Sequence, residues 1–444
     1  MISLSRVTFL ITGIIIGGST LPAQAQTNAL FTGTKTPYPA PPQQYTPAPA
    51  GYKPVFVNHV GRHGSRFFTK AGSDVQVLQV LEEAQKNKAL TSLGKQLLIM
   101  TQRFVGLQKG NYENITGLGV AEQQLIGKRL LGNYKQAFTG KGLEIYATHK
   151  IRTQQSATAF LDSFAAYTGK KEYKILPDSQ DTMLRFYDLS PAYQAFKKSA
   201  AVQQAVDSLR NDHKTGQYAQ QICSRLFTPA FKTDAVTFSQ NLYDVYCGSF
   251  SIPVEIKKHG YTPNSLDFRI AFTPQQLQWF AFINGAEDFL EKGAGRDTAG
   301  IQATVATPLL ANFINTTSEV VDHIKQKDAI LRFTHAEAIS PFATLLGIPQ
   351  ASVPAVSIYQ YNKHWSPEAI IPLSANIQWI IYSNGADHLV KVLLNEKEMV
   401  LPVPTQQAPY YKWEDVKKYY LNKLRSLETK KTVGSGEAVV SNRQ

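Results

Sequence analysis

Apolar residues fall into two patterns along this chain, and their alternation sets the expected architecture. Val55-Phe-Val-Asn-His59, Leu143-Glu-Ile-Tyr-Ala147, Ala329-Ile-Leu-Arg-Phe333, Ile377 to Ser383 and His388 to Leu394 are short, largely apolar runs that predict strands. Between them, Val75 to Leu107 (interrupted near Leu90 to Gly94), Val120 to Phe138, Gln154 to Tyr167 and Ser340 to Leu346 carry apolar residues at helical spacing. Pro341 falls in the first turn of the last of these, where it is tolerated. Strands alternating with helices predict an α/β fold with a mixed, partly parallel sheet. Residues 168–318 differ: Ala192 to Leu209, Pro274 to Leu290 and Val305 to Lys325 are helical in pattern, and convincing strands are few. This stretch reads as a mainly helical cap inserted between two halves of one α/β core, residues 54–167 and 319–428. Ligands of such sheets bind outside the carboxyl ends of the strands, next to whatever covers them.

The two ends read differently. Met1-Ile-Ser-Leu-Ser-Arg6 is a short basic region, Val7 to Gly17 is nearly all apolar, and Ala23-Gln-Ala25 offers the small residues of a cleavage site. Residues 1–25 are therefore expected to be a signal peptide, and the mature protein to be periplasmic or secreted. No later run approaches the roughly 20 apolar residues that span a bilayer, so no membrane association is expected after cleavage. Residues 26–53, with Pro37, Pro39, Pro41, Pro42, Pro47 and Pro49, hold little to bury and read as an extended leader. Residues 429–444, containing Val433-Gly-Ser-Gly436, read as a disordered tail.

Composition narrows the field only in part. At 444 residues, 43% of them hydrophobic, the chain is long enough for one large core and a second, smaller one. A formal net charge of +13 favours polyanionic partners. The basic residues are scattered, without a block of five or six like charges, which argues against nucleic acid as the partner. A monomer is expected. Cys223 and Cys247 are the only cysteines. In an oxidising compartment they are expected to form a disulfide, closing a loop of about 25 residues for roughly 3 kcal/mol, the alternative being two buried thiols. The absence of any Cys-x-x-Cys pair argues against a zinc ribbon or an iron–sulfur site.

The chemistry concentrates in Gly61-Arg62-His63-Gly64-Ser65-Arg66, directly after the first strand. Two guanidiniums flank one imidazole on a turn that two glycines permit. Arginine's planar fork suits phosphate oxygens and stays charged, and glycine lets backbone N–H groups approach an anion. An imidazole held there can attack phosphorus and form a phosphohistidine, with the arginines stabilising charge on the equatorial oxygens. A surface turn whose arginines pair with nearby carboxylates is the competing reading.

Arg62-His63-Gly64-Ser65-Arg66 resembles the RHGxR signature of the histidine acid phosphatases, branch 2 of the histidine phosphatase superfamily. Leu90-Thr-Ser-Leu-Gly94 and Ile115 to Glu122 resemble that family's LTxxG elements, and Ala147-Thr-His-Lys-Ile-Arg-Thr-Gln-Gln-Ser-Ala157 its second arginine motif. Leu331-Arg-Phe-Thr-His-Ala-Glu337 is similar to its late strand ending in the acid/base pair. Many members have His-Asp there; His335-Ala336-Glu337, together with Asp181 to Asp188, is most like the multiple inositol polyphosphate phosphatases. The resemblance runs from about residue 54 to 420 and implies a phosphoglycerate-mutase-like sheet core flanked by helices, with the inserted cap. It implies an exported phosphomonoesterase acting on inositol hexakisphosphate (phytate) or, alternatively, a broad acid or sugar phosphatase. A noncatalytic binder of phosphorylated ligands is the third class, against which His63 and Glu337 argue.

By the same resemblance His63 is the nucleophile, while Arg62, Arg66, Arg152 and His335 hold the scissile phosphate. Glu337 protonates the leaving alkoxide and then deprotonates the attacking water. With arginines neutralising the phosphate, no metal or other cofactor is expected. Four further residues are candidates for substrate contact. Lys70 matches a substrate-binding lysine of some phytase-type relatives, or is a solvated surface residue. His59 points toward the site or into the core; His149 lies close to Arg152; Arg185 reaches substrate from the cap or makes a structural salt bridge.

Overall fold

The run from Lys53 to Arg62 (β1) is the strand around which the molecule is arranged. In the computed structural model, which describes residues 30–39, 44–165, 169, 174–178 and 181–440, the expected signal peptide lies outside the described residues. Further strands are Leu143–Thr148 (β2), Ile175–Asp178 (β3), Ala329–Thr334 (β4), Asn376–Ser383 (β5), His388–Leu394 (β6), Lys397–Glu398 (β7) and Tyr410–Lys412 (β8). The sheet order is β3-β2-β4-β1-β5-β6-β7, with β8 also on β6. β3, β2, β4 and β1 run parallel, and β5 and β6 return antiparallel. The α/β expectation is met with this mixed sheet. β1 is buried on both faces over most of its length, as its apolar composition requires of a central strand.

Helices Ser73–Lys86 (α1), Ser92–Gln108 (α2), Gly117–Asn133 (α3) and Ile151–Asp162 (α4) precede the middle region. The threonines of the two LTxxG stretches are N-caps: Thr91 accepts from the Gly94 N–H at 3.1 Å and Thr116 from the Gly119 N–H at 3.2 Å. The middle region supplies Ala200–Arg210 (α5), His213–Leu226 (α6), Ala235–Ser249 (α7), Pro274–Lys292 (α8) and Thr307–Val321 (α9). A full capping box, Thr273 with Gln276, starts α8. Ala336–Leu346 (α10) and Trp413–Val440 (α11) complete the long helices.

The sequence-based boundaries of core and cap shift in three places. β3, within the stretch read as cap, adds to the sheet as its edge strand. α9 lies on β1 rather than in the cap, with Asn58 donating to the Phe313 carbonyl at 3.2 Å and Phe313 edge-on to Trp379. Conversely α1 and α2, read as core, pack against α7 and α6 of the helical region. By its contacts the chain from Phe31 onward is one compact unit. The tail also differs: α11 continues to Val440, through Gly434 and Gly436.

The proline-rich leader is docked, contrary to the expectation that it has little to bury. Tyr45 joins Tyr134, Tyr382 and Tyr410 around the ammonium of buried Lys391, whose centroid distances run from 4.8 to 5.7 Å. Glu398 pairs with Lys391 at 3.1 Å and accepts from the Thr46 N–H at 2.9 Å. A cation enclosed by aromatic faces and one carboxylate fastens the leader to the antiparallel edge of the sheet. The expected disulfide is absent: Cys223 on α6 and Cys247 on α7 are free and buried. Each packs as a small apolar residue of its own helix, and burial pushes the thiols up to about 11 and about 12.

Candidate active site

Pairing of β1 with β4 brings the two histidine motifs together at the carboxyl ends of the parallel strands. The register ends with Arg62 opposite Thr334, and the His63 N–H donates to the Thr334 carbonyl at 3.0 Å. His63 and His335, each the residue after its strand, then have ring centroids 5.5 Å apart. β2, on the other side of β4, ends at Thr148 and delivers Arg152 in the first turn of α4.

The loop after β1 is held from several directions. The Gly64 N–H donates to Ser156 Oγ at 3.0 Å, and Ser156 Oγ donates to the Arg152 carbonyl at 2.7 Å, which ties the loop to α4. Glu122 on α3 accepts from the Ser65 N–H (2.9 Å), Ser65 Oγ (2.7 Å), Ser374 Oγ (2.8 Å) and the Tyr38 N–H (2.9 Å). Four donors make this buried carboxylate a rigid post for the loop. α3 approaches so closely because Gly119 lacks a side chain: a Cβ there would come within 2.1 Å of the Ser65 carbonyl oxygen.

His63 is 3% exposed, and its Nδ1 lies 3.0 Å from the Gly64 carbonyl oxygen. That oxygen can only accept, so Nδ1 carries the proton and Nε2 keeps its lone pair. Burial, with the charges of Arg66 and Arg62, then His335 and Arg152, holds the imidazole well below its ordinary value. A neutral ring with a free Nε2 among guanidiniums is a nucleophile beside an anion site.

The guanidiniums are under-satisfied. Arg62 Nη1 donates to the carbonyls of Thr34 (2.7 Å) and Ile371 (2.6 Å), and Arg66 Nη1 to that of Phe67 (2.8 Å). Arg62 Nε, Arg66 Nε, and Arg152 Nε and Nη1 are buried and make no hydrogen bond. Arg152 has one distant carboxylate, Glu113 at 3.6 Å. Burial depresses all three, and repulsion from Arg152 and Arg62 adds to the effect at Arg66. Three cations with spare N–H groups form an anion-binding cradle.

His335 Nε2 is 3.1 Å from Thr148 Oγ1, which is 2.8 Å from Thr153 Oγ1, and Tyr187 stands edge-on at 6.2 Å. Glu337 is the second residue of α10 and remains 36% exposed. Burial works to raise its pKa, but Lys292, His335, a backbone hydrogen bond and Arg62 outweigh that and hold the carboxyl far below the usual range. Lys292, the last residue of α8, sits 3.6 Å from Glu337 and 2.7 Å from Asp288.

The structure thus gathers Arg62, His63, Arg66, Arg152, His335 and Glu337 into one electrostatic cluster. His149 and Arg185 meet at the rim: Arg185 Nη1 donates to His149 Nδ1 at 3.0 Å, and Arg185 also pairs with Asp188 at 2.9 Å. Lys70 is exposed in the loop before α1. His59 is a correction. It lies four residues back along β1 from His63 and is packed into the core there, 1% exposed, with its ring 5.2 Å from Phe160 and 5.7 Å from Phe333. Lys292 and the leader's Thr34 were not apparent from the sequence. Glu122 carried a signal as the last residue of the second LTxxG stretch, and Thr148 and Ser156 as members of the second arginine motif.

Comparison with known proteins bears on the family and the fold. The sequence profile of the histidine phosphatase superfamily (branch 2) matches residues 55–395. Multiple inositol polyphosphate phosphatase 1 of Homo sapiens is 22% identical over 269 residues, covering 57% of this chain and 52% of the human protein. The chain thus spans about half the length of that relative. The crystal structure of Bifidobacterium longum multiple inositol polyphosphate phosphatase with inositol hexasulfate superposes with a TM-score of 0.75 at 22% identity, covering 88% of this chain and 97% of that one. The D. castellii phytase gives a TM-score of 0.67 at 17% identity, covering 90% and 85%.

Proposed function

Because the chain belongs to branch 2 of the histidine phosphatase superfamily, we propose that it is a phosphomonoesterase that hydrolyses inositol polyphosphates such as phytate. His63 Nε2 attacks phosphorus in line, and the bond from phosphorus to the leaving oxygen breaks while Glu337 gives that oxygen its proton. Arg62, Arg66, Arg152 and His335 hold the phosphoryl oxygens and take up the charge that develops on them. Water then attacks the phosphohistidine, Glu337 takes the proton, and His63 is restored as inorganic phosphate leaves. The observation that carries this reading is the His63 Nδ1–Gly64 carbonyl contact, which frees Nε2 amid guanidiniums with unpaired donors.

Glu337 must be protonated to act as the acid. A bound phosphate dianion offsets the cations that hold the carboxyl charged, so substrate itself raises Glu337 toward protonation. Lys70, His149 and Arg185 meet the other phosphates of the ring from the mouth of the site. Two observations support a highly phosphorylated substrate: the net charge of +13 and the inositol hexasulfate bound by the Bifidobacterium longum protein. The N-terminal pattern supports action outside the cytoplasm. Among the described residues no helix is long and apolar enough to cross a membrane.

The test is phosphate release from phytate, p-nitrophenyl phosphate and glucose 1-phosphate by wild type and His63→Ala. Phytate turnover that disappears in His63→Ala is expected; turnover of the small esters alone would move the protein to the broad-specificity phosphatases. Glu337→Gln is expected to slow alkyl phosphates by about 10²–10⁴-fold and aryl phosphates, with better leaving groups, much less. Equal losses on both would remove Glu337 from the acid role.

A further inference from the structure

The leader reaches the catalytic loop from outside the sheet, directly at Arg62 before His63 and through Glu122 at Ser65 after it. On one side, Arg62 Nη1 uses its two N–H bonds on the carbonyls of Thr34 and Ile371, at 2.7 and 2.6 Å. A guanidinium is planar, so fixing one nitrogen in this way limits the directions in which Nε and Nη2 can point. On the other side, the Tyr38 N–H donates to Glu122, the carboxylate that holds the Ser65 N–H and hydroxyl.

The leader stretch is itself anchored where it does this. Residues Gly33–Lys35 form one 3₁₀ turn, with Gly33 at a φ of +55° and its N–H on Glu368 Oε1 at 3.0 Å. Lys35 pairs with Asp244 of α7 at 2.7 Å, and the Leu373 N–H donates to the Thr36 carbonyl at 2.9 Å. Core and helical region both grip the stretch, so the Thr34 carbonyl has a defined position.

From this we infer that Thr32–Tyr38 is a positioning segment of the active site, holding Arg62 in the orientation that meets the scissile phosphate. The inference rests on the phosphatase reading, in which Arg62 is a phosphate ligand. A segment that only stabilises the fold would act on every property of the enzyme alike. A positioning segment acts through Arg62, and its effect vanishes when Arg62 is gone.

A double-mutant cycle separates the two. Valine at position 33 cannot readily adopt a positive φ, and a Cβ there meets only Pro367 Cγ at 4.0 Å, so Gly33→Val displaces the Thr34 carbonyl through the backbone. Wild type, Gly33→Val, Arg62→Ala and the double variant are compared by kcat/KM on p-nitrophenyl phosphate and by Tm. Gly33→Val is expected to lose about ten- to a hundredfold in kcat/KM with little change in Tm. The same substitution in the Arg62→Ala background is expected to change kcat/KM less than about twofold. Equal losses in both backgrounds, no loss in the wild-type background, or full activity of Arg62→Ala would each overturn the inference. Should Gly33→Val not fold, Glu368→Gln, which weakens the anchor of the Gly33 N–H and leaves an acceptor for the Ser366 hydroxyl, enters the same cycle with a smaller loss and the same non-additivity. If wild type hydrolyses no phosphomonoester, it is the phosphatase reading that falls. The cycle is then read as inorganic phosphate affinity by calorimetry, where additive effects overturn the positioning role and non-additive ones support it.

Discussion

Glu337 and Lys292 face each other at 3.6 Å where the helical region meets the core, and that contact governs when the proposed acid can hold a proton. Lys292 keeps the carboxylate charged, so its removal raises the pKa of Glu337. Lys292→Gln is therefore expected to move the alkaline limb of the kcat–pH profile to higher pH, measured on an alkyl phosphate. An unmoved limb would separate Lys292 from the proton donor. His59 supplies a different pH effect. Burial, with Arg332 adding to it, lowers its pKa from 6.5 to about 3, and neither ring nitrogen has a hydrogen-bond partner. As pH falls through 6.5 the unfolded chain binds a proton that the native state refuses, so stability present above 6.5 is lost progressively toward pH 3. The deficit is roughly 3 kcal/mol by pH 4. His59→Leu, which sacrifices no hydrogen bond, is expected to narrow the drop in Tm between pH 7 and pH 4; an unchanged drop would place the acid sensitivity elsewhere. Residues such as His63 and Arg66 were legible in the sequence because one short turn carries both. Lys292 was not, since nothing local distinguishes a lysine ending an amphipathic helix until the fold sets it against Glu337.

At the scale of elements, the sequence was most informative where a local rule operates. The two LTxxG stretches are helix starts because threonine caps the N–H of the glycine three residues on, and the second glycine also admits the catalytic loop. Strand and helix patterns placed the segments that became β1, β2, β4, β5 and β6. Boundaries set by tertiary contact were not legible: α9 has the same amphipathic pattern as the cap helices, and its contacts with Asn58, Arg332 and Trp379 reveal that it covers the sheet. Cysteine counting misled for a related reason, because two cysteines on different helices pair only if packing aligns their side chains. The free thiols predict that alkylation in denaturant without reductant labels two cysteines per chain, and that native protein resists labelling. Recovery of no label in denaturant would establish a bridge. The leader was misjudged because proline-rich composition reports backbone stiffness and says nothing of the tyrosines that enclose Lys391.

Across the whole molecule, the candidate site draws on Thr34 in the leader, Arg62 after β1, Arg152 after β2, Lys292 on α8 and His335 after β4. Only the fold makes them neighbours. β1 pairs with β4 and β5 and with no strand close to it in sequence: Val57 lies beside Ala329 on one edge and Ile380 on the other. Such pairings are slow to form, because a long loop must close before either is rewarded. A chain under synthesis therefore presents its Arg62-His63-Gly64 turn early, yet lacks the Thr334 carbonyl that receives the His63 N–H, the second histidine and the acid until most of its length has been made. Competence for the proposed reaction therefore comes late in synthesis, since a turn near residue 63 waits for partners near residue 335.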